Sequence, residues 1–354
     1  MDLLDHPTYL GDLAAVGGLD LPWDQLKDAT IVLSGASGMI GSFLVDVVMW
    51  RNRTHAMNCR VIAVARDKCR LETRFAPYLG DKNLQILVHD LGAGPLRLAE
   101  ADFVFHAASN THPVAYATDP IGTIVTNVQG TTAMLDLAVR AGARRFAFLS
   151  TVEIYGDNRG GTQRFTEKDM GYIDCNTVRA GYPESKRTGE ALCQAYAIHH
   201  GLEVIIPRLP RVYGPTMKPD DSKALSQFLL KAVAGQDIVL KSEGNQFFSY
   251  QHVADVVGGL LTCVLLGEAG QAYNIAHPSG DILLKDLAVM VASSVNRQVV
   301  SELPSDTEKQ GFSAATVAAL EGSKLAQLGW EPLYDLRVGV ERTLDVLQAM
   351  APRG

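Results

Sequence analysis

The sequence predicts an α/β protein with a doubly wound parallel sheet and a smaller C-terminal α/β substrate lobe. Two observations carry this. Short apolar runs of strand length alternate with segments of helical periodicity up to about residue 207, the order that a parallel sheet covered on both faces requires. The stretch Ile31-Val-Leu-Ser-Gly-Ala-Ser-Gly-Met-Ile-Gly41 then sets a glycine-rich turn between the first apolar run and the first helical one. Strand, tight turn and helix in that order make a Rossmann-type dinucleotide site.

Residues 1–28 form an N-terminal extension, read as short helices packed on the outside. The first strand is the apolar run from Ile31, and Phe43 to Val48 continues as a helix. Strands follow at Val61–Ala65, Leu84–Val88 and Asp102–His106. Thr123–Ala141 is helical, with Ile124, Val128, Met134, Leu135 and Ala138 as its apolar positions. Phe146–Leu149 is a strand, Glu184–His199 a helix and Val204–Ile206 a strand. Beyond Arg208 the pattern loosens. Lys223–Ala234, Val253–Leu266 and Leu283–Val295 read as helices, and Gly244–Tyr250 as a loop or edge strand. The expected division is an extension at 1–28, a dinucleotide-binding domain at 29–207 and a substrate lobe at 208–354.

Composition narrows the function. The 354 residues are 47% hydrophobic, enough for a large core. The net charge is −7 and no basic run occurs, so nucleic acid and anionic membrane are poor partners. Five cysteines, an odd number without a Cys-x-x-Cys pair, point to a reducing, cytoplasmic setting without disulfides or zinc. The acidic N-terminus lacks a signal-peptide core, and no apolar stretch reaches the ~20 residues of a membrane span.

The glycines at 35, 38 and 41 let the backbone turn tightly and approach a pyrophosphate, which the helix N-terminus attracts with free N–H groups and its dipole. Ser37, Met39 and Ile40 share this turn. Asp90, with Leu91, ends the third strand and suits the adenine amino group. Ala107, Ala108 and Ser109 follow the next strand and are small enough for a cofactor to lie against the backbone. At the end of the second strand stands Ala65-Arg66-Asp67. Arg66 suits a 2′-phosphate and Asp67 a 2′-hydroxyl, so the residues leave NAD and NADP open.

Tyr182 and Lys186 are four apart on a helix and share a face. A phenol titrates near ~10, too high for a base at neutrality, unless a neighbouring ammonium stabilises the phenolate. Thr151 ends a strand and can donate to a substrate oxygen. Glu153, two residues on, is expected on the same side of an extended segment, where a carboxylate beside a ketone can act at the adjacent carbon. A surface or capping carboxylate is the bland alternative for Glu153.

These residues, with His106-Ala-Ala-Ser109, Asn127-Val-Gln-Gly130, Arg208-Leu-Pro-Arg-Val-Tyr-Gly-Pro215 and Lys324-Leu-Ala-Gln-Leu-Gly-Trp-Glu-Pro332, resemble the extended short-chain dehydrogenases/reductases of the nucleotide-sugar epimerase/dehydratase type. The resemblance runs from about Ala29 to Leu347. It is closest to UDP-glucuronate decarboxylases and then to dTDP-glucose 4,6-dehydratases, on Asp119–Asn127, the Thr151-x-Glu153 pair and Val178-Arg-Ala-Gly-Tyr-Pro-Glu-Ser-Lys-Arg187. It implies bound NAD, with NADP possible, and a nucleotide-sugar substrate oxidised to a transient 4-ketone. It also implies a homodimer through the helices 123–141 and 184–199. Catalysis would fall to Thr151, Glu153, Tyr182 and Lys186, and Asn127 would join the cofactor residues. No metal is expected.

Three positions depart from the pattern. Val152 replaces the usual Asp of the dehydratases. Phe248 replaces an Arg that meets the substrate's phosphate or carboxylate. Arg211 stands where many relatives have Asn, either as a substitute cation or merely paired with a carboxylate. A simple dehydrogenase of a small hydroxy or keto substrate, or a non-catalytic nucleotide-binding protein on this fold, are the competing readings.

Overall fold

The computed structural model describes residues 2–109, 111, 118–304 and 315–351. Seven consecutive strands start the architecture: β1 (Thr30–Ser34), β2 (Arg60–Ala65), β3 (Leu84–Val88), β4 (Phe103–His106), β5 (Arg145–Phe148), β6 (Ser150–Thr151) and β7 (Glu203–Leu209). Then come β8 (Arg211–Tyr213), β9 (Ile238–Leu240), β10 (Phe247–His252), β11 (Ala272–Asn274), β12 (Asp281–Leu283), β13 (Val299–Ser301) and β14 (Val317–Ala318). The main sheet runs β11-β7-β5-β4-β1-β2-β3, with β6 on β7. Its ladders are parallel, as expected from the alternating pattern.

Burial on both faces explains the apolar runs. Ile31 and Leu33 of β1 face one core with Phe43 and Val47 of the helix Met39–His55. Val32 faces the other with Met134 and Leu135 of the helix Pro120–Arg140 and Cys193 of the helix Gly181–His200. Strand order reverses between β1 and β4. The crevice at that reversal, beyond the strands' C-terminal ends, is where open α/β sheets bind ligands.

The chain beyond 207 does not stay apart from this sheet. The helix Val253–Leu266 packs into the first core, and β11 pairs with β7. The remainder builds a small sheet, β12-β10-β14 with β8 on β10, over a third core that includes Phe228, Leu229, Leu287 and Val340. Here the structure corrects the sequence: 247–252 is the central strand of that sheet, not a loop or an edge. Its polar residues hid this, but Ser249 and Gln251 are paired. Ser249 Oγ donates to Asp281 Oδ1 at 2.5 Å, and Gln251 Nε2 to the His277 carbonyl at 3.2 Å.

The N-terminal extension is also more deeply placed than expected. In the helix Pro7–Gly17, Tyr9, Leu13 and Val16 are buried in the first core. Among the described residues no helix is long and apolar enough to cross a membrane.

Candidate active site

The glycine turn is shaped by close approach. Gly35 has φ +71°, and a Cβ there would lie 2.7 Å from the backbone of Ala107 and Ala108. A Cβ on Gly41 would lie 2.5 Å from the Gly35 carbonyl. Only glycine fits both places. Gly38 is the N-cap of the helix Met39–His55 and makes no side-chain cap hydrogen bond, so that helix end presents its N–H groups to the groove.

The groove opens into one cavity of about 760 Å³ that reaches the second lobe. Gly35, Ser37, Gly38, Met39, Ile40, Gly41, Arg66, Asp90, Leu91, Ala107, Ala108 and Ser109 line its cofactor end. Asp90 Oδ1 accepts from Gly92 N at 2.9 Å, which fixes the carboxylate. Asn127 differs from expectation: it is buried behind the wall. Its Oδ1 accepts from Ser109 Oγ at 2.7 Å and its Nδ2 donates to Ser185 Oγ at 2.8 Å. It does not line the cavity itself but is bonded to Ser109, which does. These residues fit a dinucleotide.

Thr151, Glu153, Tyr182, Lys186, Arg211 and Phe248 line the same cavity. Tyr182 and Lys186 sit in the first turns of the helix Gly181–His200 and are both buried. Lys186 Nζ donates to the Leu149 carbonyl at 2.9 Å, leaving two of its three donors. Burial lowers its pKa to about 8, partly opposed by Cys193 and Glu190. His106 is packed beneath, its Nδ1 2.7 Å from Ser34 Oγ. Burial, with Lys186 adding to it, pushes His106 down to about 3, so it stays neutral.

Thr151 and Glu153 are not on one extended segment. The strand ends at Thr151, and Val152–Tyr155 form a 3₁₀ turn that the Thr151 hydroxyl caps, accepting from Glu153 N at 3.3 Å. The hydroxyl proton of Thr151 is left to donate into the cavity. Glu153 lies between two guanidinium groups. Arg179 Nη2 donates to its Oε2 at 2.8 Å, and Arg211 Nη2 is 3.5 Å from its Oε1. Arg211 also lies over Phe248, its Cζ 3.4 Å from the ring centroid. It therefore pairs with a carboxylate, and its guanidinium sits at Phe248, the position where the sequence departs from the pattern. Its Nη1 is buried with no hydrogen-bond partner among the described residues.

The sequence did not single out Arg179, Arg70, Lys218, Lys223, Lys231 or Lys241, which line the cavity as well. Arg179 precedes Tyr182 by three residues, a spacing that could have flagged it. Lys223 and Lys231 belong to one helix, as its N-cap and in its last turn, while Lys218 and Lys241 lie on either side of it in the chain, and none carried a local signal. Among the described residues no group of three His, Cys, Asp or Glu is placed to hold a metal.

A family model, the NAD dependent epimerase/dehydratase family, matches residues 31–276. The chain belongs to this family. It is an enzyme of the extended short-chain dehydrogenase/reductase type, and NAD is its cofactor. It is similar to UDP-glucuronic acid decarboxylase 2 of Arabidopsis thaliana, 33% identical over 94% of this chain and 71% of that protein. UDP-glucuronic acid decarboxylase 1 of Xenopus tropicalis is 30% identical over 89% of this chain and 71% of its own length. Among solved structures, a dTDP-glucose 4,6-dehydratase from Streptomyces venezuelae matches with TM-score 0.75 at 23% identity, covering 90% of this chain and 97% of that one. A UDP-glucuronic acid 4-epimerase from Bacillus cereus matches with TM-score 0.75 at 19% identity, covering 91% and 100%. Both share the fold.

Proposed function

We propose that the chain decarboxylates a nucleotide-linked hexuronate through a 4-keto intermediate, with residues 29–207 holding NAD and 208–354 closing over the sugar nucleotide. The observation that carries this is Glu153 set between Arg179 and Arg211 on the wall shared with Tyr182 and Lys186. Two guanidinium groups at the sugar end suit a substrate that bears a carboxylate. Similarity to UDP-glucuronic acid decarboxylases supports the same class. Val152, buried and apolar, has no proton to give a leaving hydroxyl, which weighs against water loss.

Bound NAD supplies the hydride acceptor at C4 and afterwards the donor. Tyr182 as phenolate takes the 4-hydroxyl proton. The Lys186 ammonium stabilises that phenolate, and Thr151 donates to O4. Arg179 and Arg211 hold the C6 carboxylate. The 4-ketone makes it a β-keto acid, so the C5–C6 bond breaks, its electron pair enters the C4–C5 enolate and carbon dioxide leaves. The developing charge falls on O4, where Thr151 and Tyr182 already point. Glu153 relays a proton from solvent to C5, and Tyr182 returns its proton to O4.

The same reading makes the protein a cytoplasmic homodimer. Its five cysteines are free, which suits a reducing compartment. Ile121 and Ile124 on the helix Pro120–Arg140 are exposed, and Ile198 on the helix Gly181–His200 is 88% exposed, an apolar surplus that a two-fold helical contact would cover.

Single-turnover absorbance at the reduced-nicotinamide band, with carbon dioxide release, tests the chemistry. Tyr182→Phe should abolish cofactor reduction, with turnover down roughly 10²- to 10⁴-fold. Glu153→Gln should still reduce the cofactor and then stall with a 4-keto species. A Glu153→Gln protein that reaches product at the parent rate makes Glu153 structural. A parent protein that converts UDP- or dTDP-hexuronates without losing carbon dioxide overturns the decarboxylase reading.

A further inference from the structure

We infer that the adenosine end of the cofactor groove is built to accept a 2′-phosphate, so that the chain binds NADP(H) as well as NAD(H). The sheet order locates the ribose. β2 lies between β1, which carries the glycine turn for the pyrophosphate, and β3, which leads to Asp90 at the adenine. The adenosine ribose therefore sits over the C-terminal end of β2. A site that selects the 2′-hydroxyl places a carboxylate there. Here β2 ends in Ala65, whose methyl group can neither accept from a hydroxyl nor repel a phosphate.

Arginines stand around this uncharged strand end. Arg66 follows Ala65 directly, and Arg70 lies one turn into the helix Lys68–Arg74; both line the cavity. Neither guanidinium has a hydrogen-bond or ion-pair partner among the described residues. Lys218 reaches the same wall from the second lobe. It lies close enough to Arg70 for repulsion to add to burial in lowering its pKa. The acids nearby have other tasks. Asp67 also lines the cavity, but it is held at the helix end as its cap, its Oδ1 accepting from Arg70 N at 3.0 Å. Asp221 pairs with Lys223 at 2.9 Å, and Asp220 faces Lys218. Unpaired guanidinium groups beside a missing carboxylate form the recognition chemistry of a phosphate monoester.

Binding decides this independently of which sugar reaction the enzyme performs. Nucleotide released from the purified protein is identified by mass spectrometry, and the emptied protein is then titrated with NADH and NADPH by nicotinamide fluorescence. NADPH should bind within about tenfold of NADH. Arg66→Ala should weaken NADPH by about 10- to 100-fold, the value of a lost charge-assisted contact, with NADH little changed. Ala65→Asp, which restores the carboxylate, should weaken NADPH selectively. NADPH binding about 100-fold weaker than NADH in the parent protein, or Arg66→Ala weakening both alike, overturns the inference. Carbon dioxide release from the sugar does not depend on whether the ribose carries a 2′-phosphate, so the two proposals fail separately.

Discussion

Lys186 is 3% exposed, and in the proposed mechanism it must carry a positive charge to stabilise the phenolate of Tyr182. Burial opposes this and brings its pKa to about 8, with Glu190 and Cys193 pulling the other way. The ammonium form is therefore present below pH 8 and lost as pH rises through it. Turnover should fall on the alkaline side with an inflection near that value. Lys186→Arg keeps its charge at every accessible pH. Its planar fork fits poorly where a point charge donated to the Leu149 carbonyl, so turnover should drop by roughly 10²-fold or more. The alkaline fall between pH 8 and 10 should nevertheless disappear. A Lys186→Arg profile with the same inflection would assign the limb to another group. The placement of single residues of this kind was the most legible part of the sequence, since short, fixed spacings single out Tyr182, Lys186, Thr151 and the glycines, and the fold sets them along one cavity. Arg211 was not legible in that way. Its role depends on Phe248, which is brought beneath it only when β8 pairs with β10.

Elements were legible where one periodicity dominated. The helix Val253–Leu266 is apolar on every side, and the sequence bounded it as the structure does. Where it would pack could not be read, because the chain leaves the small lobe to bury it under the main sheet. Leu260 is fully buried there. Leu260→Ala should lower stability by about 2–5 kcal/mol, the transfer and cavity cost of such a truncation. Urea unfolding followed by circular dichroism measures it, and a loss under about 1 kcal/mol would mean that the site collapses around the gap. The strand β10 failed to declare itself for the opposite reason. Phe247-Phe-Ser-Tyr-Gln-His252 alternates in polarity like a half-exposed strand, yet Ser249, Gln251 and His252 are buried. Their partners lie 26 and 32 residues downstream for Gln251 and Ser249, beyond the reach of any local pattern.

At the scale of the whole molecule, the N-terminal helix Pro7–Gly17 ties distant parts of the chain together through buried polar groups. Tyr9 bonds to Asp46, which pairs with Arg74. Asp12 Oδ1 accepts from Tyr334 Oη at 2.8 Å and from Arg342 Nε at 2.8 Å, 330 residues away. Such links explain why the extension read as an outer layer: its buried face holds an acid whose partners come from the other end of the sequence. Asp12 also bears on Asp255, at the start of the helix Val253–Leu266. Asp255 Oδ1 accepts from Leu333 N at 2.6 Å, while Oδ2 is buried without a partner among the described residues. Burial, and then the charge of Asp12, raise the Asp255 pKa to about 7 despite the backbone donors of Leu333 and Tyr334. The folded-state value lies above the unfolded one, so the ionised group costs stability in full above pH 7, and the cost fades as pH falls toward 4. Asp255→Asn removes the charge and keeps an oxygen for Leu333. It should melt higher than the parent at pH 8, by on the order of 2 °C for each kcal/mol recovered. That gap should close as pH is lowered to 5. His252 and His106, both pushed to about 3 by burial, destabilise the fold as pH drops below 6.5, but they do so in parent and variant alike. The difference between the two melting temperatures at each pH isolates Asp255, and a difference that stays constant from pH 8 to 5 would show that this carboxyl does not titrate there.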